Sequence, residues 1–216
     1  MSRFTSDQIA HALSFSGPLD RARSLEFLKA LDIRHSVGHW SAGDFFDRFA
    51  PVGYHSNDTN FSSLFEAQCR RTKAAGIDAI EIHQSVFEKT LNGDIDWAAV
   101  ERAKSGYLPE LGMTITACNI NTWTNPVFGL GGPCNPDAGL RKWALDEVLK
   151  GVEIAKALDV KVLSVWPGSD GADYHFQIDY LQSIEWFAEA LTVVNKACLA
   201  AVGAIMHSSR GSFGFG

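Results

Sequence analysis

The stretch Thr114-Ile-Thr-Ala-Cys-Asn-Ile-Asn121 is rich in β-branched residues and predicts a strand. It runs into a loop dense in Asn, Pro and Gly over 122–136, and helical periodicity then holds from near Asp137 to about Leu158. The same order recurs on both sides. Upstream, Ala79-Ile-Glu-Ile-His83 reads as a strand followed by a helix over 97–111, with Asp94 or Asp96 as its cap and Gly112 as its end. Earlier still, Ile33-Arg-His-Ser-Val-Gly-His-Trp40 reads as a buried strand. A long polar loop separates it from a helix over 61–75, where Leu64, Phe65 and Cys69 recur at helical spacing and Gly76 closes the last turn. Downstream, Val160-Lys-Val-Leu-Ser-Val165 is the fourth strand, with a Gly/Asp loop and a long helix over 178–201 behind it. In that helix Leu181, Ile184, Phe187, Ala188, Leu191 and Val194 are expected to share the buried face.

Strand and helix in alternation, with crossovers of a dozen or more residues, mean parallel strands with helices packed outside. A doubly wound open sheet and a (β/α)8 barrel both satisfy that order. An open dinucleotide-binding sheet carries Gly-x-Gly-x-x-Gly after an early strand, whereas Gly129, Gly131 and Gly132 have the wrong spacing and lie mid-loop. The long, polar, aromatic loops all follow strand C-termini, where a barrel places its chemistry. The reading is therefore α/β, a (β/α)8 TIM barrel. A complete barrel uses ~250 residues and eight strands, so the 216 residues here predict about its first half, four to five βα units. On this reading 1–32 is an N-terminal extension, 33–202 holds four βα units, and 203–216 is an irregular Gly-rich tail. That tail opens on Gly-Ala-Ile-Met, a strand stub by composition, and its end reads as a truncation or frameshift. Half a barrel exposes two strand edges and the inner faces of its strands, which predicts a homo-oligomer.

Composition narrows the partners. A net charge of -6 with no Lys/Arg-rich run argues against nucleic acid. No apolar stretch approaches the ~20 residues of a membrane span, and residues 1–20 alternate polar and apolar groups where a secretory signal needs an apolar block. Cys69, Cys118, Cys134 and Cys198 lie far apart with no Cys-x-x-Cys pair. Reduced thiols in the cytoplasm fit that spacing better than a disulfide framework or a cysteine zinc site.

Three strand ends carry unusual groups. His83 closes the second strand, where a plain hydrogen-bonded histidine is the commoner role. Asn119-Ile-Asn-Thr-Trp-Thr-Asn-Pro-Val-Phe128 closes the third; Trp123 and Phe128 there fit simple coverage of the rim as well. Trp166-Pro-Gly-Ser-Asp-Gly-Ala-Asp-Tyr174 closes the fourth, and its Asp and Gly residues also suit an ordinary turn. Together they outline a cleft of aromatic faces with His83, Asn119 and Asn121 on its polar side. Sugars are bound in such clefts: rings cover the C–H surface while amides and imidazole meet the hydroxyls.

Asn121-Thr-Trp-Thr-Asn-Pro-Val-Phe128, Asn135-Pro-Asp-Ala-Gly-Leu-Arg-Lys-Trp-Ala-Leu145 and Val165-Trp-Pro-Gly-Ser-Asp-Gly-Ala-Asp-Tyr174 resemble the xylose isomerase family. Ile80-Glu-Ile-His83 and Val37-Gly-His-Trp40 stand correctly spaced before them, so the resemblance spans 33–197. It implies a (β/α)8 barrel that interconverts aldoses and ketoses, D-xylose and D-xylulose among them, by a metal-assisted hydride shift with Mg2+, Mn2+ or Co2+. His83 falls where the family keeps a histidine that contacts the sugar and assists ring opening. Trp123 and Trp166 fall on the aromatic wall, Trp40 on a pocket-lining position of strand one, and Asn119 on a sugar-contacting position.

Two departures accompany the resemblance. Many members orient the histidine with an Asp three residues later, and here that residue is Val86. The family's metal ligands are Glu and Asp residues of strands five to eight, and the tail after Cys198 contains no carboxylate, so no metal ligand is assigned. Asp170 and Asp173 of the fourth loop are isolated. The expectation is a sugar isomerase whose substrate wall is present and whose metal cage is not. An L-rhamnose or other aldose isomerase, a sugar-phosphate epimerase or endonuclease on the same barrel, and a non-catalytic sugar-binding remnant are the alternatives.

Overall fold

The computed structural model describes residues 5–31, 33–43, 60–170, 174, 176–202 and 205–207. The chain divides into two compact units, 1–36 and 37–216. The first holds two helices in contact, α1 (Ser6–Leu13) and α2 (Arg21–Ala30). Thr5 opens α1 with a reciprocal capping box, its hydroxyl accepting from the Gln8 amide while the Gln8 side chain accepts from the Thr5 amide. Asp20 caps α2. The rings of Phe15 and Phe27 meet edge to face at 5.3 Å. Neither helix buries a residue, so this pair of helices has no core of its own.

The second unit is built on a five-stranded sheet with β1 (Ser36–Gly38), β2 (Ala79–His83), β3 (Thr114–Ile120), β4 (Val162–Val165) and β5 (Ile205–His207). Its strand order is β1-β2-β3-β4-β5, and the β2/β3, β3/β4 and β4/β5 pairs are parallel. A doubly wound sheet reverses its order at a switch point. Here the order follows the chain without reversal, so right-handed crossovers put the helices that connect the strands on one face. That is the winding of a barrel, and the chain forms about half of one. The intervening helices are α3 (Phe61–Ala74), α4 (Trp97–Arg102), α5 (Leu108–Leu111), α6 (Ala138–Ala157) and α7 (Tyr180–Val202).

Alternation along the strands divides their side chains between two faces. Ile80, Ile82, Cys118, Ile120, Leu163 and Val165 join the hydrophobic core with Phe65 and Cys69 of α3, Val148 and Val152 of α6 and Val194 of α7. Glu81, His83, Asn119 and Ser164 occupy the other face. Gly151 sets the approach of α6 to the sheet, since a Cβ there would collide with Ile120 Cδ1. Asp96 and Asp137 cap α4 and α6, accepting from the amides of Ala99 and Leu140.

Three elements differ from the sequence expectation. The helix expected over 97–111 is interrupted by a π-turn, Ala103–Tyr107, with non-helical backbone at Gly106. Gly106 tolerates that conformation, and Pro109 lacks the N–H that a continuous helix would need there. The first strand is short, because His39–Ser41 coil into a 3-10 turn. In α7 the inward row is Ser183, Val194 and Cys198, which are buried, with Phe187 and Leu191 half-buried against the core. Leu181 (76% accessible), Ile184 (59%) and Ala188 lie outside it.

Candidate functional site

The C-terminal ends of the strands bring four rings into a contiguous series. His83 is the last residue of β2 and only 4% exposed. The Trp40 indole stacks on its imidazole, centroids 4.6 Å apart and planes 11° apart. Trp123, from the β3 loop, meets His83 edge-on at 5.0 Å and Trp166 at 4.5 Å. Gly168 lies against both of those indoles: a Cβ there would stand 2.8 Å from Trp166 and 3.2 Å from Trp123. Trp123 is buried, whereas Trp40 and Trp166 are each 38% exposed and leave indole surface to solvent.

Asn119 is in register with His83 on one side and with Ser164 on the other, so a polar row crosses three strands. Its Nδ2 lies 3.4 Å from both Glu81 Oε2 and the Ile82 carbonyl. Asn121 is buried, and its Oδ1 accepts from the backbone amides of Trp123 (3.4 Å) and Thr124 (3.0 Å). That oxygen shapes the loop carrying Trp123. Phe128 is buried against Trp143, away from the ring series.

His39, to which the sequence assigns no role, is a direct polar partner of His83. Its Nε2 lies 3.1 Å from His83 Nδ1 and its Nδ1 lies 3.1 Å from Gln68 Oε1, while Gln68 Nε2 donates to the Gly43 carbonyl at 2.7 Å. Along a strand His39 and Trp40 would point to opposite faces. The 3-10 turn instead separates them by about a third of a revolution, and both rings reach His83. Val86, three residues after His83, packs into the core. Burial pushes His39 down to about 3. His83 also lies well below the ordinary imidazole range, through burial first and the neighbouring His39 second.

A second polar cluster supports the loops from behind. Glu147 is fully buried and accepts from Lys150 Nζ (2.6 Å), Trp143 Nε1 (3.1 Å) and Asn92 Nδ2 (3.3 Å). Glu88 accepts from the Asn92 amide and from Gln84 Nε2. Gln84 follows His83 and accepts from the Asn121 amide at 2.7 Å, which ties the cluster to two of the strand ends. Burial, with Glu147 alongside, pushes the Glu88 carboxyl up to about 8.

These groups give opposing pH dependences. Unfolded, Glu88 ionises from about 4.5, but folded it keeps its proton to about 8, so stability falls as pH rises across that window. His39 stays neutral in the fold down to about 3, whereas the unfolded imidazole charges below 6.5, so stability also falls as pH drops below 6.5. His83 adds to the acid side. Asp170, raised by burial, opposes both histidines and flattens that limb. The melting temperature is therefore expected to peak near pH 6.5, the ordinary imidazole value, and Glu88→Gln should abolish the decline above it. Calorimetry from about pH 5 to about pH 8 checks this; an alkaline decline unchanged in the variant would contradict it.

Among the described residues, no group of three or more His, Cys, Asp or Glu is placed to share a metal ion. A hard divalent cation such as Mg2+ takes about six oxygen ligands. The row beside His83 offers one carboxylate, Glu81, while Glu88 and Glu147 are engaged in the cluster behind. Asp170 accepts from the Cys134 amide at 2.8 Å, and Asp173 lies outside the described residues. The donor set of the described residues does not fit such an ion.

No protein-family model matches the chain. The chain is 29% identical to a xylose isomerase of Thermus thermophilus over 84 residues, 39% of this chain and 22% of that one. Its fold is similar to that of an L-ribulose 3-epimerase, with a TM-score of 0.54 and 16% identity over 81% of this chain and 48% of that structure. It is similar also to a xylose isomerase-like TIM barrel protein from Mycobacterium smegmatis solved with magnesium, at a TM-score of 0.50 and 14% identity, over 81% and 54% of the respective chains. The chain spans about half the length of these structures and under a quarter of the isomerase. Its architecture is that of a TIM barrel, about half of one.

Proposed function

We propose that this chain forms the sugar-binding wall of an aldose–ketose isomerase of the xylose isomerase type. The observation carrying the reading is the ring series Trp40–His83–Trp123–Trp166, set at strand ends beside Asn119. Exposed indole surface suits the C–H face of a sugar, and a neutral imidazole with a neighbouring amide suits its hydroxyls. In this reading His83 contacts the sugar ring and assists its opening, Trp40 and Trp123 wall the pocket, and Trp166 stacks on the sugar and keeps water from the reacting carbons. Metals of the Mg2+, Mn2+ or Co2+ kind would polarise the sugar oxygens in the whole enzyme. The described residues do not cage such an ion, and the share proposed for them is binding, orientation and, through His83, ring opening.

The protein is proposed to be cytoplasmic, a reading that its four free cysteines fit. Among the described residues, no helix is long and apolar enough to cross a membrane. Self-association is part of the proposal, since β1 and β5 end the sheet and end strands invite pairing.

The likeness to a ketose 3-epimerase favours a second reading, in which the same wall receives a ketose. Calorimetric titration with D-xylose and with L-ribulose, with and without Mg2+, separates the two. Binding is expected for D-xylose, weakened about threefold to tenfold by Trp166→Ala and comparably by His83→Asn. Preference for L-ribulose would move the assignment to the epimerase. Sugar affinity indifferent to both substitutions would overturn the site.

A further inference from the structure

We propose that His39 and Gln68 are positioning residues that fix the tautomer of His83, with the proton on Nδ1 and Nε2 as the acceptor. The functional meaning rests on the sugar-contacting role proposed for His83; the tautomer itself does not.

The assignment starts at the far end of the chain of hydrogen bonds. The Gly43 carbonyl only accepts, so the Gln68 group 2.7 Å from it is the amide NH2. Gln68 therefore presents its oxygen to His39, and His39 Nδ1 at 3.1 Å must carry a proton. His39 is buried and neutral, so its Nε2 holds a lone pair. Across 3.1 Å that lone pair meets His83 Nδ1, which must then be the donor. A neutral imidazole carries one ring proton. Nε2 of His83 is left as the acceptor, suited to take a hydrogen bond from a sugar hydroxyl.

The arrangement also fixes the plane of the ring. Trp40 covers one face of His83 at 4.6 Å, Trp123 meets it edge-on at 5.0 Å, and His39 stands nearly perpendicular at 89°. A flip of the His83 ring would put a carbon where His39 Nε2 now accepts a proton, leaving a buried acceptor unpaired. The three elements involved come from separate parts of the sequence: the 3-10 turn after β1, helix α3 and the end of β2.

Nitrogen-15 NMR of the full chain with labelled histidine tests this near neutral pH. His83 is expected to show a protonated Nδ1 and an unprotonated Nε2, with His39 the same. His39→Leu removes the acceptor and should shift His83 toward the Nε2–H form. His39→Gln restores an acceptor oxygen and should keep the wild-type tautomer. A purely structural role would change the melting temperature in both variants and leave the tautomer alone. D-xylose binding supplies the second readout: His39→Leu should weaken it about threefold to tenfold, the range for losing one hydrogen bond, and His39→Gln should stay within about twofold. An Nε2–H tautomer in the wild type, or no change of tautomer in His39→Leu, overturns the proposal. If the tautomers behave as stated while His83→Asn leaves sugar affinity intact, the relay stands and the sugar-binding reading falls.

Discussion

Replacing Lys150 by Met is expected to cost about 3–5 kcal/mol of stability at about pH 8, the range for stranding a buried charge. Glu147 is wholly buried and Lys150 Nζ is its cationic partner at 2.6 Å. The same amine donates to the Gly93 carbonyl at 2.7 Å, holding the β2 loop to α6. Without it, Trp143 and Asn92 still donate to Glu147, but no cation balances a carboxylate lying beside a second one, Glu88. The sign with pH follows. Lys150 is one of the groups that hold the Glu88 carboxyl down, so without it Glu88 keeps its proton to a higher pH, and the neutral form suffers little from burial. The penalty should therefore shrink as the medium is acidified toward about pH 5. Urea unfolding at both pH values measures it; an equal loss below about 1 kcal/mol at each would show the ion pair to be dispensable.

Truncating Phe65 to Ala is expected to cost about 3–5 kcal/mol at any pH. Phe65 is fully buried, with Phe87 at 5.4 Å, Tyr107 at 6.1 Å and His39 at 6.3 Å, all edge to face. The cavity would open where α3, the β2 loop and the π-turn converge, and its lining rings cannot collapse into it without leaving their other partners. Phe65→Leu keeps most of the volume and should cost about 1.5 kcal/mol or less. Denaturant midpoints of the two variants give the comparison, and similar values would mean that the site relaxes around the void.

The architecture was readable because alternating strands and helices leave a strong periodic trace, punctuated by Asp96, Asp137 and Gly76. His83, Trp123 and Trp166 were readable because they sit at or just beyond strand C-termini, where a parallel sheet exposes its chemistry. Other features depend on geometry that periodicity does not encode. His39 becomes a partner of His83 only through the 3-10 turn. Gln68 shares the buried face of α3 with Phe65, Cys69 and Thr72, and an apolar pattern passes over a polar member. Glu88 and Glu147 are far apart in sequence and meet only when α6 packs beside the β2 loop. Gly106 and Pro109 did carry a signal for the helix break, which the apolar spacing over 97–111 masked. In α7 the hydrophobic positions outnumber those that the core covers, so hydrophobicity alone misplaces its buried row.

The uninterrupted strand order has a consequence for how the polypeptide acquires its structure as it is made. No strand must be threaded between two that formed earlier, so each newly emerged segment finds its template already in place behind it. When β4 leaves the ribosome, β2 and β3 can already be paired, and α6 needs only to fold back over its own flanking strands. Assembly of this kind proceeds from the amino end outward, one unit at a time, like bricks added along a single course.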